Sequence, residues 1–104
     1  MAHLNGIWAE HKRKTIASGL DNIVREAHEH PPVLSAQVPF QRRDVLEARD
    51  ELALLAQALR TNPDPNPSGV DAANHLLTSC ESPIFEPRGA EAIREAARAA
   101  RYGL

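Results

Sequence analysis

Cys80 is the only cysteine of this 104-residue chain, and His75 stands five positions before it. A cysteine nucleophile needs a base, usually histidine, and a third group to orient that base. On one helix the two side chains point about 140° apart, at roughly 100° per residue, so they do not pair there. A lone cysteine near a helix end is more simply a small packed residue, and packing is the leading reading. His28 and His30 flank Glu29 just before Pro31 and Pro32. Helical positions i and i+2 diverge, so joint metal ligation needs a frayed end. No second cysteine and no H-E-x-x-H joins them. Cationic histidines are mildly favourable at a helix C-terminus, which accounts for both without chemistry. The expectation is no metal, no cofactor and no catalytic residue.

Two basic groupings offer a grip instead. "HKRK", residues 11–14, follows Leu4, Ile7 and Trp8 and is the densest cationic run. It could meet an anionic membrane or a phosphate backbone, although four residues are few for either. Arg94, Arg98 and Arg101 recur at i, i+4 and i+7, with Glu91 and Glu95 spaced to pair with Arg94 and Arg98. A solvated, salt-bridged face is the simpler reading of both. The candidate partner-binding residues are thus Ile7, Trp8, Lys12, Arg13, Lys14, Arg94, Arg98 and Arg101. Twelve basic against fourteen acidic residues leave no basic footprint over the whole chain, which disfavours a nucleic-acid binder. No glycine-rich phosphate loop or nucleophile elbow occurs.

The elements that carry these residues read as helices. Ile16, Leu20, Ile23, Val24 and Ala27 mark one apolar face. Leu4, Ile7, Trp8 and His11 extend it backward, giving a helix over about 5–29. Gly19 and the capping-box-like Ser18-Gly-Leu-Asp21 leave a break near 18 open. Residues 33–40, "VLSAQVPF", alternate and read as an extended strip, barred from a sheet centre by Pro39. It could pair with 84–86 or with its copy in a second subunit. Asp44 and Glu47 look like a capping pair for a helix over 44–60, with Val45, Ala48, Leu52, Leu55, Ala56 and Leu59 on one side. "TNPDPNPSG" is an extended proline-rich connector. Ser68 is the expected N-cap of a helix from Gly69 to about Ser79 that buries Val70, Ala73, Leu76 and Leu77. Ile93, Ala97 and Ala100 face inward on the last helix, which Gly103 stops. Between them Ser82-Pro83 ends a helix, and Phe85 is expected to plug the gap between the 44–60 helix and the last one.

The run "IASGLDNIVREAHEHPPVLSAQVPFQRRDVLEARDELALLAQALR", with "GVDAANHLLTSCESPIFEP", resembles a group of small actinobacterial proteins. Their pattern is a helix ending near proline, a P-L-S-A-x-V-P strip, an A-R-x-E-L-x-x-L-A-x-x-L-R helix, then G-V-x-x-A-x-x-L-L-T and S-P-L-Y. The resemblance covers residues 16 to about 100. It implies a packing pattern and no activity. Where that group tends to have Asp-Gly after Leu-Leu-Thr, this chain has Ser79-Cys80.

The expected architecture is all-α: one domain over 1–104, a bundle of three to four helices with the 33–40 strip and proline-rich connectors. Residues 1–15 read as a loosely attached extension. A chain this short buries roughly 60–70% of its unfolded surface, so the core is modest. Leu20, Ile23, Leu52, Leu55, Leu59, Leu76, Leu77 and Ile93 are its expected members. No apolar run is long enough to span a membrane. A single cysteine and no secretion core fit the cytoplasm. The expected role is a non-enzymatic protein–protein interaction or regulatory module, acting on a protein partner or as a homodimer. The alternative is a nucleic-acid or phosphate-binding accessory protein using residues 11–14 and the Arg94/Arg98/Arg101 stripe.

Overall fold

The structure, a computed structural model, describes the backbone of residues 2–29, 39–81 and 89–104 and the side chains of 9–29, 42–81 and 89–104. Five helices and no strands occur among the described residues: α1 (Ala2–Glu29), α2 (Pro39–Glu47), α3 (Arg49–Thr61), α4 (Pro67–Glu81) and α5 (Ala90–Tyr102). The all-α reading stands, with one helix more than expected.

The extra helix comes from an earlier start. Pro39 opens α2, where its fixed φ and missing N–H are both tolerated. Residues 39–40 are therefore helical rather than extended, and the rest of the 33–40 strip lies outside the described residues. Asp44 sits inside α2 rather than at its start. α2 and α3 meet at Ala48, whose φ of −95° and ψ of 8° bend the chain. The hydrogen-bond ladder runs on through the bend, Ala48 N–H to Asp44 O at 3.0 Å and Leu52 N–H to Ala48 O at 3.1 Å.

α1 runs unbroken through Gly19. A Cβ there would lie 2.5 Å from Leu77 Cδ2, so the missing side chain lets α4 approach rather than ending a helix. α4 begins at Pro67, and its cap is Asn66 rather than Ser68. Asn66 Oδ1 accepts the Ser68 N–H and the Ser68 hydroxyl, both at 3.0 Å. The last helix ends at Gly103 as expected, but with φ −78° and ψ −8°, so no left-handed residue is involved. Glycine fits because α4 and α5 touch backbone to backbone: a Cβ on Gly69 would lie 2.6 Å from Gly103 C. The one positive-φ residue among those described is Gly89, at 92°, just ahead of α5.

Side-chain pairs fix the directions. Lys12 reaches Asp71 and Gly19 meets Leu77, so α1 and α4 are parallel. Arg13 reaches the last carbonyls of α3, making α1 and α3 antiparallel. Arg94 reaches Glu47 O and Arg101 reaches Glu51, so α3 and α5 run parallel. The four long helices pack in the cyclic order α1, α3, α5, α4. Residues 62–66 thus cross the end of the bundle diagonally. They are pinned there by Asn66 N–H to Leu104 O at 2.8 Å.

Leu20, Leu52, Leu55, Leu59 and Ile93 are fully buried at the centre. Each contributes roughly 1.5–3 kcal/mol by leaving water. Leu76 and Leu77 are buried as expected, whereas Ile23 is only partly covered. Phe85 lies outside the described residues.

Candidate functional site

The basic residues occupy two regions of the bundle. Lys12, Arg13 and Lys14 stand where α1 passes the closed end made by residues 62–66. Lys12 Nζ lies 3.3 Å from Asp71 Oδ1, and Lys14 Nζ lies 3.1 Å from Glu10 Oε1 one turn back. That contact with Lys14 holds the Glu10 carboxyl below its ordinary range. Arg13 is half-buried, and its Nη1 donates to Leu59 O at 3.2 Å and Asn62 O at 2.7 Å. These are orphan carbonyls at the α3 C-terminus, so the guanidinium satisfies them and offsets the negative end of the helix dipole.

Arg94, Arg98 and Arg101 lie along the seam between α5 and the α2–α3 pair. Arg94 Nη1 meets Glu91 Oε2 at 3.2 Å, and its Nη2 donates to Glu47 O at 3.0 Å. Arg98 lies 3.6 Å from Glu51 and 3.5 Å from Glu91. Arg101 lies 3.4 Å from Glu51 and rests 5.0 Å from the ring centre of its neighbour Tyr102. Glu51 is the hub, with a side chain only 22% exposed. The stripe visible in the sequence is therefore an interhelical clamp. Sequence spacing suggested the Glu91 pairing but could not show Glu51, 50 positions from Arg101.

Ile7 and Trp8 lie on the described backbone of α1, but their side chains are outside the described residues. Ala9 lines a notch of about 140 Å³ with Pro65, Pro67 and Val70. Residues 2–8 continue as helix beyond this level.

Cys80 is buried and borders a shallow concavity of about 300 Å³ with Ile23, Glu26, Val45 and Glu81. Burial, reinforced by Glu81, pushes its thiol up to about 12. At neutral pH it is a thiol and a poor nucleophile. His75 is exposed on the same helix. Among the described residues, no three histidine, cysteine or acidic side chains gather as a metal site would need. None of the described helices is long and apolar enough to cross a membrane.

No protein-family model, curated protein or solved structure matches the chain. One feature of the bundle was not legible in the sequence. Glu10, Arg13, Lys14, Arg60, Thr61 and Asn62 border a polar groove of about 260 Å³ at the closed end of the bundle. No local spacing in the sequence ties Arg60 to residues 13 and 14.

Proposed function

We propose that the chain is a non-enzymatic cytoplasmic interaction module, and that the free end of α1 is what it presents to a protein partner. The observation that carries this reading is a length mismatch. α1 has 28 residues, while α3, α4 and α5 have 13, 15 and 13. At 1.5 Å per residue α1 is about 42 Å long, roughly twice its neighbours. The molecule is accordingly 50 Å along its long axis and 21 Å across. Residues 2–8 extend past the connector that closes the bundle. They carry Leu4, Ile7 and Trp8 at i, i+3 and i+4, the spacing by which a helix seats in a groove.

The basic residues support the alternative reading less well. Lys12 and the three arginines of α5 each have a carboxylate within 4 Å, and Arg13 is turned onto α3. A nucleic-acid surface would have to displace most of these contacts. The buried, protonated Cys80 supports a role without covalent chemistry.

Trp8 is the only tryptophan, so its fluorescence reports this surface directly. The test is affinity capture from a cell lysate with the parent chain and with Trp8→Ala. The expected result is a stoichiometric partner for the parent, a blue shift of Trp8 emission on its addition, and loss of capture with Trp8→Ala. Equal capture by both chains, or none by either, counts against the reading.

A further inference from the structure

We propose that the groove at the closed end of the bundle is a binding site for a small phosphate-bearing anion. The proposal is independent of the partner surface on residues 2–8. Three cations from two helices border one concavity: Arg13 and Lys14 from α1, and Arg60 from the last turn of α3. Glu10 is the one carboxylate of the lining, and Asp21 stands behind Arg60 outside it, in a chain whose net charge is −2. The groove, at about 260 Å³, has room for a diphosphate.

The end of α3 would ordinarily repel an anion, because helix C-termini carry partial negative charge. Here Arg13 already holds the Leu59 and Asn62 carbonyls, which cancels that repulsion. The two donors left for a ligand are on flexible, solvated side chains. Lys14 is tied only to Glu10, an exposed pair one turn apart, and such pairs are weak and exchange readily. Arg60 Nη2 is held by Asp21 Oδ2 at 2.6 Å, which orients the guanidinium and leaves its other N–H groups to donate. Thr61 Oγ1 and Asn62 Nδ2 are spent on the Gln57 and Leu104 carbonyls, so the cations carry recognition. Glu10 is the built-in competitor for the site.

The experiment is calorimetric titration of the full chain with inorganic pyrophosphate at low salt, followed by ³¹P line-broadening. Saturable one-to-one binding is expected, weakening as salt is raised. Loss of two charge-assisted donors in Lys14→Gln/Arg60→Gln lowers affinity about tenfold or more. Glu10→Gln, by removing the competing carboxylate, tightens binding. Lys12→Gln, which borders the neighbouring notch, leaves it unchanged. Circular dichroism of each variant reports folding, and the four positions are all exposed. A nucleoside monophosphate and a short single-stranded oligonucleotide then distinguish free phosphate esters from a nucleic-acid backbone. Absence of saturable binding, equal binding by the double variant, or weaker binding by Glu10→Gln overturns the proposal. So does oligonucleotide binding that survives the double variant while pyrophosphate does not bind.

Discussion

Cys80 titrates far from its usual range because burial penalises the thiolate. The folded chain keeps this proton up to about pH 12, whereas an unfolded chain releases it near the ordinary value of 9.0. Between those values the unfolded state binds fewer protons, so stability falls as pH rises. The stability present below pH 9.0 is lost on approach to pH 12. Urea unfolding of the parent and Cys80→Ala across this window is the check. The gap between them should narrow as pH rises, because only the parent carries this alkaline loss. The glycines give a second contrast. Gly69→Ala forces a Cβ to 2.6 Å from the Gly103 and Leu104 backbone, which has nowhere to go. It should cost about 1–3 kcal/mol. Gly19→Ala meets only the movable end of Leu77, and helix propensity returns about 1 kcal/mol, so its melting temperature should change far less.

At the scale of helices, what the sequence made legible was periodicity, and what it hid was pairing across the fold. Leu52, Leu55 and Leu59 repeat along one face, and all three are buried. The residues around Asp44 misled because Asp44 and Glu47 stand at the offset of a capping pair. Pro39, five residues earlier, is an equally valid start, and nothing local ranks the two. Asn66 and Ser68 pose the same ambiguity two residues apart. Asp44 in fact serves another helix. It is half-buried, and its carboxylate accepts the Gly89 N–H ahead of α5. Burial raises its pKa above the ordinary 3.8, outweighing that hydrogen bond, with Glu47 pushing the same way and Arg43 opposing. A raised carboxyl favours the folded state most when protonated. Its contribution is complete below pH 3.8 and is lost as pH climbs through the folded value. Asp44→Asn keeps an acceptor for Gly89 without a charge to desolvate. Its melting temperature should match or exceed the parent's at pH 7, with the gap closing toward pH 3.8. Asp44→Ala, which leaves the Gly89 donor without an acceptor, should lose about 1 kcal/mol. In the seam, Glu51→Gln takes the counter-charge from both Arg98 and Arg101. A loss of about 1 kcal/mol, shrinking with added salt, is expected from these partly exposed pairs.

The whole molecule is a bundle closed at one end by a short proline-rich crossing, with one helix running on past the closure. That shape follows from numbers of residues rather than from any motif. The apolar positions of α1 appear in the sequence as one continuous face, and nothing in their spacing marks where the bundle stops covering it. The stop is set by the far side of the fold, where the Asn62 carbonyl accepts from Arg13 and the Asn66 N–H donates to the Leu104 carbonyl. A consequence can be measured without knowing any partner. Ala9 lines the notch beside Pro65 and Pro67, and Lys12 and Arg13 hold the helix in place at that level. Removing residues 1–8 should therefore leave the core intact. The melting temperature should fall by no more than a few degrees, the shift that about 1 kcal/mol produces in a domain of this size. Small-angle scattering should show the longest dimension shorter by about 10 Å, the rise of the seven deleted helical residues. If the truncated chain instead melts tens of degrees lower, residues 2–8 belong to the packed interior. The length mismatch then loses its meaning, and with it the case for a presented helix end.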